Sequence, residues 1–364
     1  MKLSDTLSAL YTKDSYSALD AQCVAEAITW GPVLFQVARL LYKFQLLELI
    51  ESTDGGLTAA ECVQQSGCTP FAVELLLEAG LGAGILLIDP ESERYRLSKI
   101  GWFLLKDPNK KVNMDFVHDV NYRGLYYLEE ALTKGRPAGL KTLGNWSTVY
   151  EGLSQLPEKE RSSWLAFDHF YSDCSFDAIL PLVLSNAPKH LLDIGGNTGK
   201  FALHCVSYNP EVEVTIADLP GQLDMMRNFV AGKKGAERIT GYPINLLNTS
   251  EKLPTDTWDV IWMSQFLVCF SKEQIAHILA LTAEIMTAQT RLYILDLFWN
   301  LQKTEAAALS LTMTSVYFAD IANGCSKFYR YEVYEELIKQ AGLRIVKIHE
   351  QLPIGHNLLE VVKA

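Results

Sequence analysis

Two carboxylates and a run of glycines carry the clearest chemistry in this sequence. The apolar run His190-Leu191-Leu192 leads into Asp193-Ile194-Gly195-Gly196-Asn197-Thr198-Gly199-Lys200, an acid followed by a turn of small residues. Glycine lets a backbone turn tightly and approach a ligand with no side chain between them. The helical pattern that follows, Phe201 to Tyr208, opens with unpaired N–H groups aimed at that ligand. A second apolar run, Val212 to Ala217, ends in Asp218-Leu219-Pro220. A carboxylate at that strand tip can accept both hydroxyls of a ribose. The dinucleotide fingerprint G-x-G-x-x-G does not fit. From Gly195 it needs glycine at Asn197 and Lys200, and from Gly196 at Thr198 and Phe201.

The elements that must hold these residues are legible in the same way. From about residue 181 strand and helix patterns alternate, which predicts a parallel sheet. Further strands are expected at 239–244, 258–264, 291–298, 344–351 and 357–363. The short Pro353-Ile354-Gly355 link forces the last two to run antiparallel. Ligands on such a sheet sit at the carboxyl ends of the strands, where Asp193, Asp218, Ser264 and Asp296 all fall.

Upstream, residues 19–50 carry apolar positions at helical spacing. Thr58-Ala59-Ala60-Glu61 is a capping box, Gly67 a stop, and Thr69-Pro70 the start of another helix. Ile85–Ile88 and Tyr95–Leu97 read as a hairpin around Asp89-Pro90. Three helices and a hairpin predict a winged helix. Its would-be recognition helix, Phe71 to Glu78, has two acids and no base, so it repels phosphate. Residues 109–180 are expected to be helical and rich in aromatics, most of them core.

Asp193 to Gly199 followed by Ala217-Asp218-Leu219-Pro220 resembles the class I S-adenosylmethionine (SAM) methyltransferases. It is most similar to the small-molecule O-methyltransferases of plants and bacterial natural-product pathways, which usually carry a third glycine where Asn197 stands. The resemblance implies a Rossmann-like α/β domain, mostly parallel with a C-terminal antiparallel strand, preceded by a helical winged-helix dimerisation domain. The corresponding boundaries are 1–108 for dimerisation, 109–180 for a helical substrate-lining region and 181–364 for the SAM-binding domain. It implies SAM contacts from Asp193, Gly195, Gly196, Gly199, Asp218, Leu219 and Ser264. Phe167-Asp168-His169-Phe170-Tyr171-Ser172-Asp173-Cys174-Ser175 resembles the family helix Phe-Asn-x-Gly-Met-Ser-x-His-Ser. That likeness puts Ser172 near the cofactor's carboxylate and Tyr171 in the place of a methionine near the reacting centre. The acceptor is then expected against Tyr122, His169, Tyr171, Phe266, Met313 and Tyr317.

The family's catalytic histidine is absent. Its His-Asp-Trp-Ser run matches Val268-Cys269-Phe270-Ser271 here, and valine cannot accept a proton. Ser271-x-x-Gln274 caps the next helix, and His277 falls inside that helix, on a surface or half-buried position. Asp296 matches an orienting glutamate and is the candidate catalytic residue, able to act as a base if burial raises its pKa. The family's second acid is missing from Gly324 to Arg330, and its adenine-contacting Gly-Asp-Phe/Met element is Gly241-Tyr242-Pro243. Cys269 has no His or Lys beside it and reads as a structural thiol.

Composition narrows the class. The 364 residues suffice for two or three domains with ample core. A net charge of −11 argues against nucleic acid. Met1 to Asp5 lacks an apolar signal core, and no apolar run approaches the ~20 residues of a membrane span. Seven scattered cysteines without C-x-x-C suggest reduced thiols in a cytoplasm. No metal constellation is seen. The expectation is a dimeric, cytoplasmic SAM-dependent methyltransferase for a small aromatic or polyketide-like acceptor, with oxygen, nitrogen or activated carbon as the methylated atom. The alternatives are a SAM-holding enzyme of other chemistry and a non-enzymatic SAM-binding or winged-helix regulator.

Overall fold

The long helical pattern of residues 19–50 folds as three helices, because the chain turns at two places that its apolar spacing does not mark. The computed structural model describes residues 2–350 and 352–364. Helix α1 (Ala18–Thr29) gives way at Trp30 to α2 (Gly31–Lys43), which has a proline in its first turn and is bent 78° from α1. Gln45, at φ 59°, then starts α3 (Leu46–Ser52). The capping box of Thr58 and Glu61 opens α4 (Ala59–Ser66), Gly67 closes it in the left-handed region, and Thr69 caps α5 (Pro70–Gly82). Strands β1 (Leu86–Asp89) and β2 (Arg94–Leu97) pair antiparallel. Arg94 returns to Glu61 at 3.0 Å, tying the hairpin to the start of α4. Leu41, Leu47, Ile50, Cys62, Val73, Leu77 and Leu86 form the core of this unit, which spans residues 14–117. In contrast α1 buries none of its side chains, and Leu19, Ile28, Trp30 and Val33 are exposed.

The second unit comprises residues 1–13 and 118–364. The boundary expected at residue 108 therefore shifts, and the first residues leave the N-terminal domain. The reason is hydrogen bonding: Ser4 donates its N–H to Asn300 at 3.0 Å and its hydroxyl to the Gln302 carbonyl at 2.6 Å. Seven strands form the sheet: β3 (His190–Ile194), β4 (Glu213–Asp218), β5 (Ile239–Pro243), β6 (Val260–Ser264), β7 (Arg291–Asp296), β8 (Leu343–His349) and β9 (Asn357–Lys363). Their order is β5-β4-β3-β6-β7-β9-β8. β9 runs antiparallel to both neighbours, inserted between β7 and β8. Leu192, Ile261, Trp262, Met263, Leu292 and Ile294 are buried, as expected for central parallel strands covered on both faces. The helices that position the site are α6 (Glu158–Asp173), α7 (Lys200–Tyr208), α8 (Pro220–Val230), α9 (Lys272–Ile285) and α10 (Tyr331–Gln340). The capping box of Ser271 and Gln274 starts α9.

Candidate active site

A cavity of about 270 Å³ opens at the carboxyl ends of β3, β4 and β6. The chain after β3 makes its floor. Gly195 donates to the Ala217 carbonyl at 2.9 Å and adopts φ +78°, where a Cβ would come within 2.2 Å of the Phe266 ring. At Gly196 a Cβ would come within 2.7 Å of the Asp193 carboxylate, so this turn needs glycine for space. Asn197 follows at φ 50°, a left-handed conformation that asparagine tolerates better than most residues. Gly199 closes the turn by donating to the Gly196 carbonyl, and α7 begins.

Asp218 sits opposite this turn. Its carboxylate accepts from the Asn197 N–H at 2.9 Å and from the Leu219 N–H at 2.7 Å. Burial nevertheless pushes its pKa up to about 6. Asp193 is more extreme: burial, and then the charge of Asp218, push it up to about 8. Its Oδ2 has no hydrogen-bond partner. The Asn197 Oδ1, Ser264 hydroxyl and Gln265 Nε2 on the same wall are also buried and unpartnered. The cavity is thus lined with polar atoms that a ligand must satisfy.

Helix α6 forms a second wall, presenting Asp168, His169, Ser172 and Asp173. Asp173 is saturated: Lys200 reaches it at 2.5 Å, Ser172 donates at 3.0 Å, and the His169 Nδ1 lies 3.5 Å away. Asp168 instead accepts from the Asn197 side-chain amide at 3.1 Å, and burial raises its pKa. Tyr150, Trp164, Phe266 and Phe270 supply an aromatic wall, with Phe266 and Phe270 edge to face at 4.8 Å.

The sequence-selected residues divide between wall and support. Asp193, Gly195, Gly196, Asp218, Leu219, Ser172, Ser264, His169 and Phe266 line the cavity. Gly199, Tyr122, Tyr171, Met313, Tyr317 and Asp296 do not. Tyr171 is buried beside Phe167, its hydroxyl 3.4 Å from that of Ser310, and Met313 is exposed. Tyr122 is half-buried near His118. Tyr317 stands one layer back, accepting from the Trp164 indole at 2.7 Å. Asp296 is 1% exposed and accepts from the Tyr334 hydroxyl at 2.5 Å and from the Leu297 and Val268 N–H groups. Burial pushes its pKa up to about 7. Val268 is buried, and the half-buried His277 lies off the cavity. Cys269 lines the wall as a thiol that burial pushes up to about 12. Sequence reasoning missed the role of Asn197 as a bridge and the inward carboxylate of Asp168. An asparagine in a glycine position and an acid in an asparagine position were the signals available.

Residues 127–344, more than half of the chain, match the O-methyltransferase domain model. The chain belongs to that family. It is a SAM-dependent methyltransferase. Residues 22–95 match a Dimerisation2-like domain. The methyltransferase is 24% identical over 324 residues to the L-tyrosine C(3)-methyltransferase of Streptomyces lavendulae, spanning 87% of this chain and 86% of the relative. It is 22% identical over 344 residues to the bacteriochlorophyllide d C-20 methyltransferase of Chlorobaculum tepidum, spanning 93% and 96%. The crystal structure of the SAM-dependent methyltransferase SibL shares its fold, with a TM-score of 0.70 at 20% identity over 93% of this chain and 98% of that one.

The unpartnered atoms suit the cofactor. Asp218 also lines the cavity, its two carboxylate oxygens each holding one backbone N–H and keeping further lone pairs. Asp193 and Asn197 offer acceptors, and Ser264 and Gln265 offer donors, to the polar groups of a nucleoside with an amino-acid tail.

Proposed function

We propose that this enzyme methylates a small aromatic or polyketide-like acceptor held against Tyr150, Trp164, Phe266 and Phe270, with Val268 in the segment after β6 unable to take a proton. The observation that carries this reading is the aromatic wall beside the glycine turn, with Val268 buried where the resemblance expects histidine. Asp193, Gly195, Gly196, Gly199, Asp218, Leu219, Ser172 and Ser264 serve the cofactor, Asp218 at the ribose and Gly199 by shaping the turn. When bound, SAM supplies a methyl group on a positively charged sulfur, already activated for displacement. The residues of the chain orient the acceptor in line with that bond and keep water out.

A plain phenol, with a pKa of about 10, costs roughly 4 kcal/mol to ionise at pH 7. The acceptor is therefore one already acidified by its own ring, or a carbon activated by a neighbouring hydroxyl. Two of the relatives carry names that specify a carbon position, which supports keeping carbon beside oxygen. Asp296 becomes a buried support in this reading, and His169 is the one histidine among the described residues that line the cavity.

The N-terminal module, of winged-helix form, pairs two copies through the apolar face of α1 and α2. The support is the Dimerisation2-like match and the unburied side chains there. Seven free cysteines fit a reducing cytoplasm. No single helix among the described residues is long and apolar enough to cross a membrane.

The test is turnover. Purified enzyme with SAM and a panel of hydroxylated aromatics, tyrosine among them, should release S-adenosylhomocysteine and add one methyl by mass. Proton and carbon spectra of the product assign the atom. Tight cofactor binding with no methylated product from any member would favour the reading in which SAM serves other chemistry.

A further inference from the structure

Asn197 joins two carboxylates. Its backbone N–H goes to Asp218 and its side-chain amide to Asp168, so the asparagine spans the gap between β4 and α6. The contact with a carboxylate fixes the amide with its NH2 toward Asp168 and its oxygen away. That oxygen is buried, lines the cavity and has no partner. Asp168 takes a single hydrogen bond, whereas its neighbour Asp173 is occupied by Lys200, Ser172 and His169. Two acceptors, one of them ionisable, are therefore left side by side. An ammonium, with three donors and no acceptor, is the group that satisfies both.

We propose that Asp168 and Asn197 form a clamp for the α-ammonium of the methionine end of SAM. The inference rests on SAM being the cofactor and assigns two residues that the family motif does not supply: an acid where the resembling helix has asparagine, and an asparagine where the turn has a third glycine. The geometry is consistent along the whole ligand. Asp218 takes the ribose, and Asn197 sets the distance from there to Asp168. Ser172, one helical turn after Asp168 on α6, lines the same wall with its hydroxyl donated to Asp173. Asparagine in the left-handed region is worse placed than glycine for backbone strain alone, so its side chain must supply the compensating contact.

Calorimetry with three ligands tests this without any acceptor. S-adenosylhomocysteine carries ammonium and carboxylate, its decarboxylated analogue keeps the ammonium alone, and 5′-methylthioadenosine has neither. Wild-type protein should bind the decarboxylated analogue on the order of tenfold or more tighter than methylthioadenosine. Asp168→Asn should erase that preference and weaken S-adenosylhomocysteine by a similar factor, leaving methylthioadenosine unchanged. Asn197→Gly should move both ligands in the same direction by less. Equal wild-type affinity for the decarboxylated analogue and methylthioadenosine overturns the clamp, even if the variants fail to fold. So does an Asp168→Asn protein that binds all three ligands as wild type does. Failure of the wild type to bind any of them overturns the cofactor assignment, and the clamp with it.

Discussion

The Tyr334 hydroxyl meets the Asp296 carboxylate at 2.5 Å, and the pair lies behind the cavity wall. With the N–H groups of Leu297 and Val268 also directed at it, Asp296 joins the ends of β6 and β7 to α10. Asp296→Asn should therefore cost stability, about 1–3 kcal/mol for an imperfectly replaced buried acceptor. The rate at a permissive temperature should fall little, with no change in pH profile. A loss of roughly 10²–10⁴ in kcat with a flattened profile would restore a base role to Asp296.

Val268→His tests the missing imidazole from the other side. Val268 is 3% exposed, so the larger polar ring must be forced into a packed site at about 1–3 kcal/mol. Melting temperature should drop, and activity on the preferred acceptor should stay level or fall. Wild-type rate should show no titration near pH ~6.5 that substitution of a histidine removes. A wild-type profile with such a titration, removed by mutating His169, would mean that the base had moved to α6.

Asp218→Ala removes the acceptor at the tip of β4. Affinity for S-adenosylhomocysteine should fall by on the order of 1–3 kcal/mol in calorimetry. Unchanged affinity would place the ribose elsewhere.

The unliganded protein should lose stability as pH rises from about 6 to 8. Burial lifts Asp218 to about 6, Asp296 to about 7 and Asp193 to about 8, all above the ordinary carboxylate range. The folded chain then binds more protons than the unfolded chain, so the stability these groups contribute at low pH is lost as pH passes through their folded values. Thermal melts without cofactor should show a higher midpoint at pH 6 than at pH 8. Asp193→Asn should flatten that slope. A midpoint that climbs over this range would contradict it.

Ile28, 74% exposed on α1, should lie in the dimer interface. Light scattering should find a dimer for the wild type and a monomer for Ile28→Glu, because a buried unpaired charge is costly. A wild-type monomer at micromolar concentration would remove the interface altogether.

Much of this was legible from local rules. Thr58 and Ser271 announce their helices because a cap and its reciprocal partner lie within four residues. The strands fall within a residue or two of their apolar runs, since buried parallel strands leave a continuous signature. The site was legible where it is local, at Asp193, the glycine turn and Asp218. It was illegible where the contact is distant. Nothing in the spacing shows that Asn197 meets Asp168 across 29 residues, or that Asp296 pairs with Tyr334 outside the cavity lining. The break at Trp30 was hidden because α1 and α2 share one apolar composition. Tyr171 matches a position of the family helix, yet it packs on Phe167 and reaches Ser310 instead of lining the cavity, so a matched position did not guarantee a matched direction.

The placement of β9 between β7 and β8 has a consequence for the order in which the molecule can be made. During synthesis β3 to β7 emerge first and can pair among themselves, and the glycine turn, Asp218 and Ser264 all belong to that part. β8 emerges before the strand it must pair with, and it has no place beside β7 until residues 357–363 arrive to fill the gap. A nascent chain that pauses after β8 would leave the β7 edge, with the backbone groups that face Leu359 and Val361 unpaired, open to any other unpaired strand. The last strand of the sheet to leave the ribosome is thus the one that closes that edge against aggregation.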